Sequence, residues 1–181
     1  MASLTDEQQE ILLELARTTI SNNVIDGYWE ETVSEEPAFL QMAGAFVTIY
    51  VNDALRGCTG YMREDKPIYK VVQEMAISAS TSDPRFSPLG REELDNISVG
   101  ISVLSPLSKV EDIEDIQVGI HGLLIVHQGK RGVLLPQVPT DRGWDRDTYL
   151  TNLCYKAGLP GDSWQQGAML YSFTAEIFGE D

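Results

Sequence analysis

The sequence predicts an α+β fold, mainly antiparallel sheets with about three helices. Two observations carry this. Apolar residues recur at helical spacing in some segments and alternate with polar residues at strand spacing in others. The two kinds follow one another without the regular strand–helix–strand repeat of a parallel sheet. At 181 residues the chain is one compact unit, or two small lobes sharing a chain, and no linker composition divides it.

Thr5-Asp6-Glu7-Gln8 has the form of a capping box. Behind it Ile11, Leu12, Leu15, Ala16, Thr19 and Ile20 predict a helix from about Asp6 to Asn22. A polar connection follows through Gly27, Ser34 and Pro37. Ala45 to Val51 is β-branched and aromatic, hence a strand, and Asn52-Asp53 turns it. The return runs from Leu55 to Met62, with Arg56, Cys58 and Gly60 expected on one face and Leu55, Gly57, Thr59 and Tyr61 on the other. Glycines in such a strand mark a bulge or a close backbone approach.

Pro67 suits the first turn of a second helix, whose stripe is Ile68, Val71, Val72, Met75, Ala76 and Ala79. It should stop before Pro84, since the residue ahead of proline avoids helical angles. An ordered loop then carries Asp83 and Arg85, and Arg91 to Leu94 is a short helical turn. Ile97, Val99, Ile101 and Val103 alternate as a half-buried strand. The acidic stretch Val110 to Ile116 reads as a turn. A hairpin follows, with one strand within Gly119–His127 and the return at Val133–Leu135, its loop at 128–132, and Pro136 and Pro139 ending the pairing. A third helix spans about Asp145 to Lys156, capped by Gly158. One last strand is expected to hold Met169, Tyr171, Phe173, Ala175 and Ile177 on one face.

The net charge of −15 and pI of about 4.4 disfavour nucleic acid and anionic membrane as partners. The Lys and Arg residues form no basic patch. Two cysteines are too few for a disulfide framework. The start lacks a basic, apolar leader, and no segment is long enough to span a bilayer, so the protein is expected to be soluble and cytoplasmic.

The candidate chemistry centres on Leu55-Arg56-Gly57-Cys58-Thr59-Gly60. A cation favours the thiolate, the reactive form of cysteine, and Arg56 lies two residues from Cys58. Gly57 and Gly60 would let a ligand reach the backbone. The alternative is a buried, inert Cys58 filling a hole in the core. His121 is a candidate base for Cys58, or else a hydrogen-bonded structural histidine. Asp83 and Arg85 are expected to pair locally and order their loop, the other reading of Asp83 before Pro84 being plain turn chemistry, and with Arg56, Gly57 and Gly60 they complete the candidate ligand contacts. No metal motif and no nucleotide-binding glycine motif is present, so the sequence names no cofactor.

Several stretches together resemble the AMMECR1 family, also called the AmmeMemoRadiSam system protein A family. They are Leu55–Gly60, Ser82–Leu89 with Glu92-Glu93-Leu94, Ile101–Leu107, Gly119–Gly122, Leu134–Val138, Gly143-Trp144-Asp145 and Lys156-Ala157-Gly158. Thr59 departs from the isoleucine usual in the family's signature. The resemblance implies a single domain over 1–181 made of two unequal, intertwined sub-domains with a cleft between them, the signature near that cleft. It implies no established activity, and association with Memo-like and radical SAM proteins. On this basis Arg56, Cys58 and His121 are expected to serve a small-molecule or enzyme site. The other reading is an accessory module whose chemistry belongs to such partners.

Overall fold

Thr5 opens the first helix as its residue pattern requires. Its hydroxyl accepts the Gln8 N–H at 3.3 Å while the Gln8 side chain accepts the Thr5 N–H at 3.0 Å. The computed structural model describes residues 3–180. Helix α1 runs Asp6–Asp26, a turn longer than its apolar stripe, and stops where Gly27 adopts φ +67°. The chain forms two compact units, one made of the residues up to Leu104 with those from Glu176 on, the other of Ser105–Ala175.

In the first unit β1 (Ala45–Val51) is flanked on both sides by antiparallel partners, β2 (Ala54–Tyr61) and β3 (Ile97–Leu104). Strand β8 (Ala175–Gly179) completes the order β2-β1-β3-β8. Ala45, Val47 and Ile49 are buried, with Phe46 and Thr48 half-buried between them. The buried face meets α1 and α2 (Ile68–Thr81), and Val71, Val72, Ala76 and Ala79 fill the core against it. Pro67 sits at the N-cap of α2 with extended backbone, one position ahead of the first turn. A 3-10 helix, Arg91–Asn96, occupies the expected short turn.

The strand β2 differs from simple alternation. Ile49 faces Gly57 and Tyr50 faces Leu55, so Arg56 is an extra residue, a bulge in the strand. Gly57, Thr59 and Tyr61 pair with Ile49, Val47 and Ala45 and share the core side. Cys58 and Gly60 pair with Thr48 and Phe46 on the opposite side. The bulge moves Leu55 to that side as well, opposite Tyr50, which corrects the expected grouping of Leu55 with Gly57.

The second unit holds a sheet of order β4-β7-β5-β6, from β4 (Ser108–Lys109), β5 (Gly122–His127), β6 (Lys130–Leu134) and β7 (Met169–Phe173). Helix α3 (Gln137–Arg142) and helix α4 (Arg146–Lys156) complete it. The Asp145 side chain caps α4 by accepting the Thr148 N–H at 2.9 Å. Leu123 and Ile125 pack with Tyr149, Leu150, Leu153 and Cys154 of α4.

Two expectations change here. Gln137–Arg142 is a fourth α-helix, accommodated because Pro136 stands at its N-cap, where no N–H donor is needed. The single last strand is two, β7 and β8, in different sheets. The break falls at Thr174, whose N–H donates to Ser105 Oγ at 2.8 Å while its carbonyl accepts from Ser105 N at 2.9 Å. Among the described residues no helix is long and apolar enough to cross a membrane.

Tyr149 is fully buried, and its Oη lies 3.2 Å from the carbonyls of both His121 and Leu134. Burial holds the phenol well above the ordinary tyrosine range, so it remains a donor. Tyr149→Phe is expected to cost about 1–2 kcal/mol by stripping those carbonyls of their donor. Urea unfolding checks this, and an unchanged midpoint would show that the hydroxyl bonds contribute nothing.

Candidate functional site

The site is built on the edge strand β2. Cys58 stands opposite Thr48, and its outward N–H and carbonyl are met by the loop that follows α2. Asp83 accepts the Cys58 N–H at 2.9 Å, and Arg85 donates to the Cys58 carbonyl at 3.3 Å. One acidic and one basic side chain thus take the place of a neighbouring strand, which is one way a sheet edge is closed. Asp83 and Arg85 also hold each other, Nε to Oδ1 at 3.0 Å and Nη2 to Oδ2 at 2.7 Å. The Asp83 side chain is 3% exposed and that of Arg85 is 49% exposed.

This geometry fixes the electrostatics. The Arg85 guanidinium, with the backbone N–H groups of Cys58 and Arg85, holds the Asp83 carboxyl well below the usual carboxylate range against the opposing effect of burial. Arg85 is raised in turn, chiefly by its hydrogen bonds to Asp83. The cation bound to the Cys58 backbone is therefore Arg85. On the sheet side, the Thr48 hydroxyl donates to Cys58 Sγ at 3.3 Å. Cys58 is half-buried on the face of β2 turned away from α2.

Arg56, the bulged residue, is committed to the same loop. Its Nε and Nη2 donate to Glu93 at 2.7 and 2.9 Å, and Nη1 and Nη2 to the carbonyls of Ser87 and Pro88 at 2.9 and 3.3 Å. The ion pair is mostly covered, 17% and 23% exposed, and it lowers the Glu93 carboxyl. Phe86 lies against both guanidinium groups, 5.9 Å from Arg56 and 5.4 Å from Arg85.

Both glycines of the signature are accounted for by packing within this unit. A Cβ on Gly57 would stand 2.2 Å from the Ala79 carbonyl oxygen of α2. A Cβ on Gly60 would stand 2.3 Å from the Phe46 ring, which lies across the strand there. Of the residues singled out from sequence, Arg56, Gly57, Cys58, Gly60, Asp83 and Arg85 thus come together along β2 and its covering loop. Glu93, Phe86 and Thr48 belong with them and were not singled out.

His121 lies in the second unit, so the structure treats it in its own surroundings. Its Nδ1 accepts the Gln117 N–H at 3.1 Å, and its own N–H donates to the Gln117 carbonyl at 2.9 Å. The neutral ring therefore carries its proton on Nε2. His127 is half-buried at the end of β5. Among the described residues no group of three or more His, Cys, Asp or Glu side chains is arranged to hold a metal ion.

With this geometry in place, the comparison with known proteins decides the lineage. The AMMECR1 family model matches residues 13–178. The chain belongs to the AMMECR1 family. The protein MJ0810 of Methanocaldococcus jannaschii is 42% identical over 195 residues, covering 99% of this chain and 94% of that one. The protein MK0488 of Methanopyrus kandleri is 39% identical over 191 residues, covering 98% and 91%. The crystal structure of the uncharacterized protein PH0010 from Pyrococcus horikoshii matches with a TM-score of 0.94 at 37% identity, covering 98% of this chain and 94% of that one. None of these names states an activity. The AMMECR1 assignment thus supports the fold and leaves the chemistry to the residues themselves.

Proposed function

We propose that this AMMECR1-domain protein carries a small-molecule site on the face of its first sheet that holds Cys58. In this reading the exposed side of Arg85 takes an anionic group of the ligand, and the Cys58 thiol is the reactive contact, with Thr48 beside it. Arg56 supports the site by anchoring the covering loop through Glu93 and two carbonyls. The observation that carries the reading is Asp83. A carboxylate 3% exposed is used to fix both the Cys58 backbone and a half-exposed guanidinium. Positioning of this kind is what a binding or catalytic site requires of the groups behind it. His121, in the second unit, has no role in this reading.

Alkylation of the folded protein tests the reading. Cys154 is fully buried, and burial pushes its thiol up, so it serves as an internal control. Iodoacetamide at neutral pH should modify Cys58 at least about tenfold faster than Cys154, as read by mass spectrometry. Arg85→Gln should change the Cys58 rate and leave Cys154 alone. Equal, slow modification of both thiols would contradict a reactive Cys58.

The second reading is an accessory module that works with Memo-like and radical SAM partners. It is favoured by the commitment of Arg56 to Glu93 and of Gly57 and Gly60 to close packing contacts, which leaves the thiol and one side of Arg85 for a ligand. A turnover measured with the isolated protein would rule it out.

A further inference from the structure

We propose that the second unit carries a pocket for a small zwitterion, a free α-amino acid or a molecule with the same pairing of ammonium and carboxylate groups. The pocket has a volume of about 250 Å³, just below the roughly 300 Å³ at which sites for drug-sized ligands begin, which suits a molecule of amino-acid size. Val110 and the buried Ile116 supply its apolar wall. Its polar lining divides into two sets.

The acceptors are Glu111 and Asp115. Asp115 lies at the end of the 3-10 turn Ile113–Asp115, and among the described residues its carboxylate has no partner. The donors are Lys109, Ser172 and His121. The Nδ1 of His121 is taken up by the Gln117 N–H, so the ring's remaining polar group is a donor at Nε2. Lys109 and Glu111 meet at 2.8 Å with side chains 57% and 75% exposed. A pair this exposed contributes little, so its groups are available for exchange with those of a ligand.

Charge decides between ligand classes. Glu111 and Asp115 outnumber Lys109 in the lining, so a simple anion is repelled there. A simple amine satisfies the carboxylates and leaves the donors Lys109, His121 and Ser172 unanswered. A zwitterion answers both sets, its ammonium toward Asp115 and Glu111 and its carboxylate toward Lys109, Ser172 and His121 Nε2–H.

The chain has only two histidines, so their ring protons form a clean NMR probe. His127 does not line the pocket and serves as the reference, and His121→Gln assigns the signals. The probes are the common free amino acids, with acetate and methylamine as half-ligands. The expected result is a saturable shift at His121 and none at His127, from at least one amino acid at millimolar concentration and from neither half-ligand. Asp115→Asn, at an exposed turn position, should weaken that binding about tenfold. The proposal is overturned by no saturable shift up to about 10 mM, by acetate or methylamine alone reproducing the shift, or by Asp115→Asn binding like the parent. None of these outcomes touches the Cys58 site, which is read by alkylation.

Discussion

Asp83→Asn is expected to lower stability by about 2–3 kcal/mol at neutral pH, a fall of roughly 5–10 °C in Tm for a chain of this size. The carboxylate is almost fully covered and serves three donors, the Cys58 N–H, the Arg85 N–H and the Arg85 guanidinium. An amide keeps the shape but loses the charge, and its NH2 group faces donors. The loss stays below the full cost of breaking a buried pair, because Arg85 is half exposed and water recovers part of its charge. The sign of the pH dependence follows from the lowered Asp83 carboxyl. Its contribution is complete above the unfolded value of about 3.9 and is lost as pH falls toward the lower folded value. The gap between parent and variant should therefore shrink on going from about pH 7 to about pH 3. A gap of equal size at both would mean that the charge of Asp83 is not what stabilises the loop.

Gly57→Ala is expected to cost about 3 kcal/mol or more, and Gly60→Ala about 1 kcal/mol. The local backbone does not decide this, since neither glycine has a positive φ and alanine is otherwise favoured in place of glycine. What decides it is the neighbour each methyl would strike. At Gly57 that neighbour is the Ala79 carbonyl at 2.2 Å, part of the last turns of α2, which is itself packed into the core. Strand β2 is fixed against β1 on one side, so either the helix or the strand must move. At Gly60 the neighbour is the end of the Phe46 side chain, half-buried and able to turn aside. Denaturant midpoints of the two variants give the comparison, and equal losses would mean that the approach of α2 to β2 is not tight. Gly57→Ala should also disturb the reactivity of Cys58, one residue along the strand.

Much of the fold is legible in local sequence because local forces decide it. Thr5 and Gln8 form their capping box within one turn, and Asp145 caps α4 from its own first turn. The alternation of Ala45 to Val51 matches a strand with one buried face. The site is less legible. The bulge at Arg56 is a slip in hydrogen-bond register between two strands, and no residue type announces it. It removes Arg56 from the alternation that would have set it beside the thiol. The partner of Arg56 is Glu93, 37 residues on, and the cation beside Cys58 comes from the covering loop. The glycines of the signature look the same to sequence whether they admit a ligand, a helix carbonyl or a ring, and the structure fills both spaces. The two-residue β4 and the break at Thr174 are fixed by pairing with distant segments, which local pattern does not contain.

We propose that Cys58 and Arg85 form one site for an anionic small molecule. Its most direct test is protection of Cys58 from iodoacetamide by small anions, with phosphate, acetate and oxalate as probes, in the parent and in Arg85→Gln. At least one of these anions should slow the modification of Cys58 in a saturable manner, and Arg85→Gln should abolish the protection. Unprotected Cys58 with every anion, or protection that survives the loss of Arg85, would contradict it.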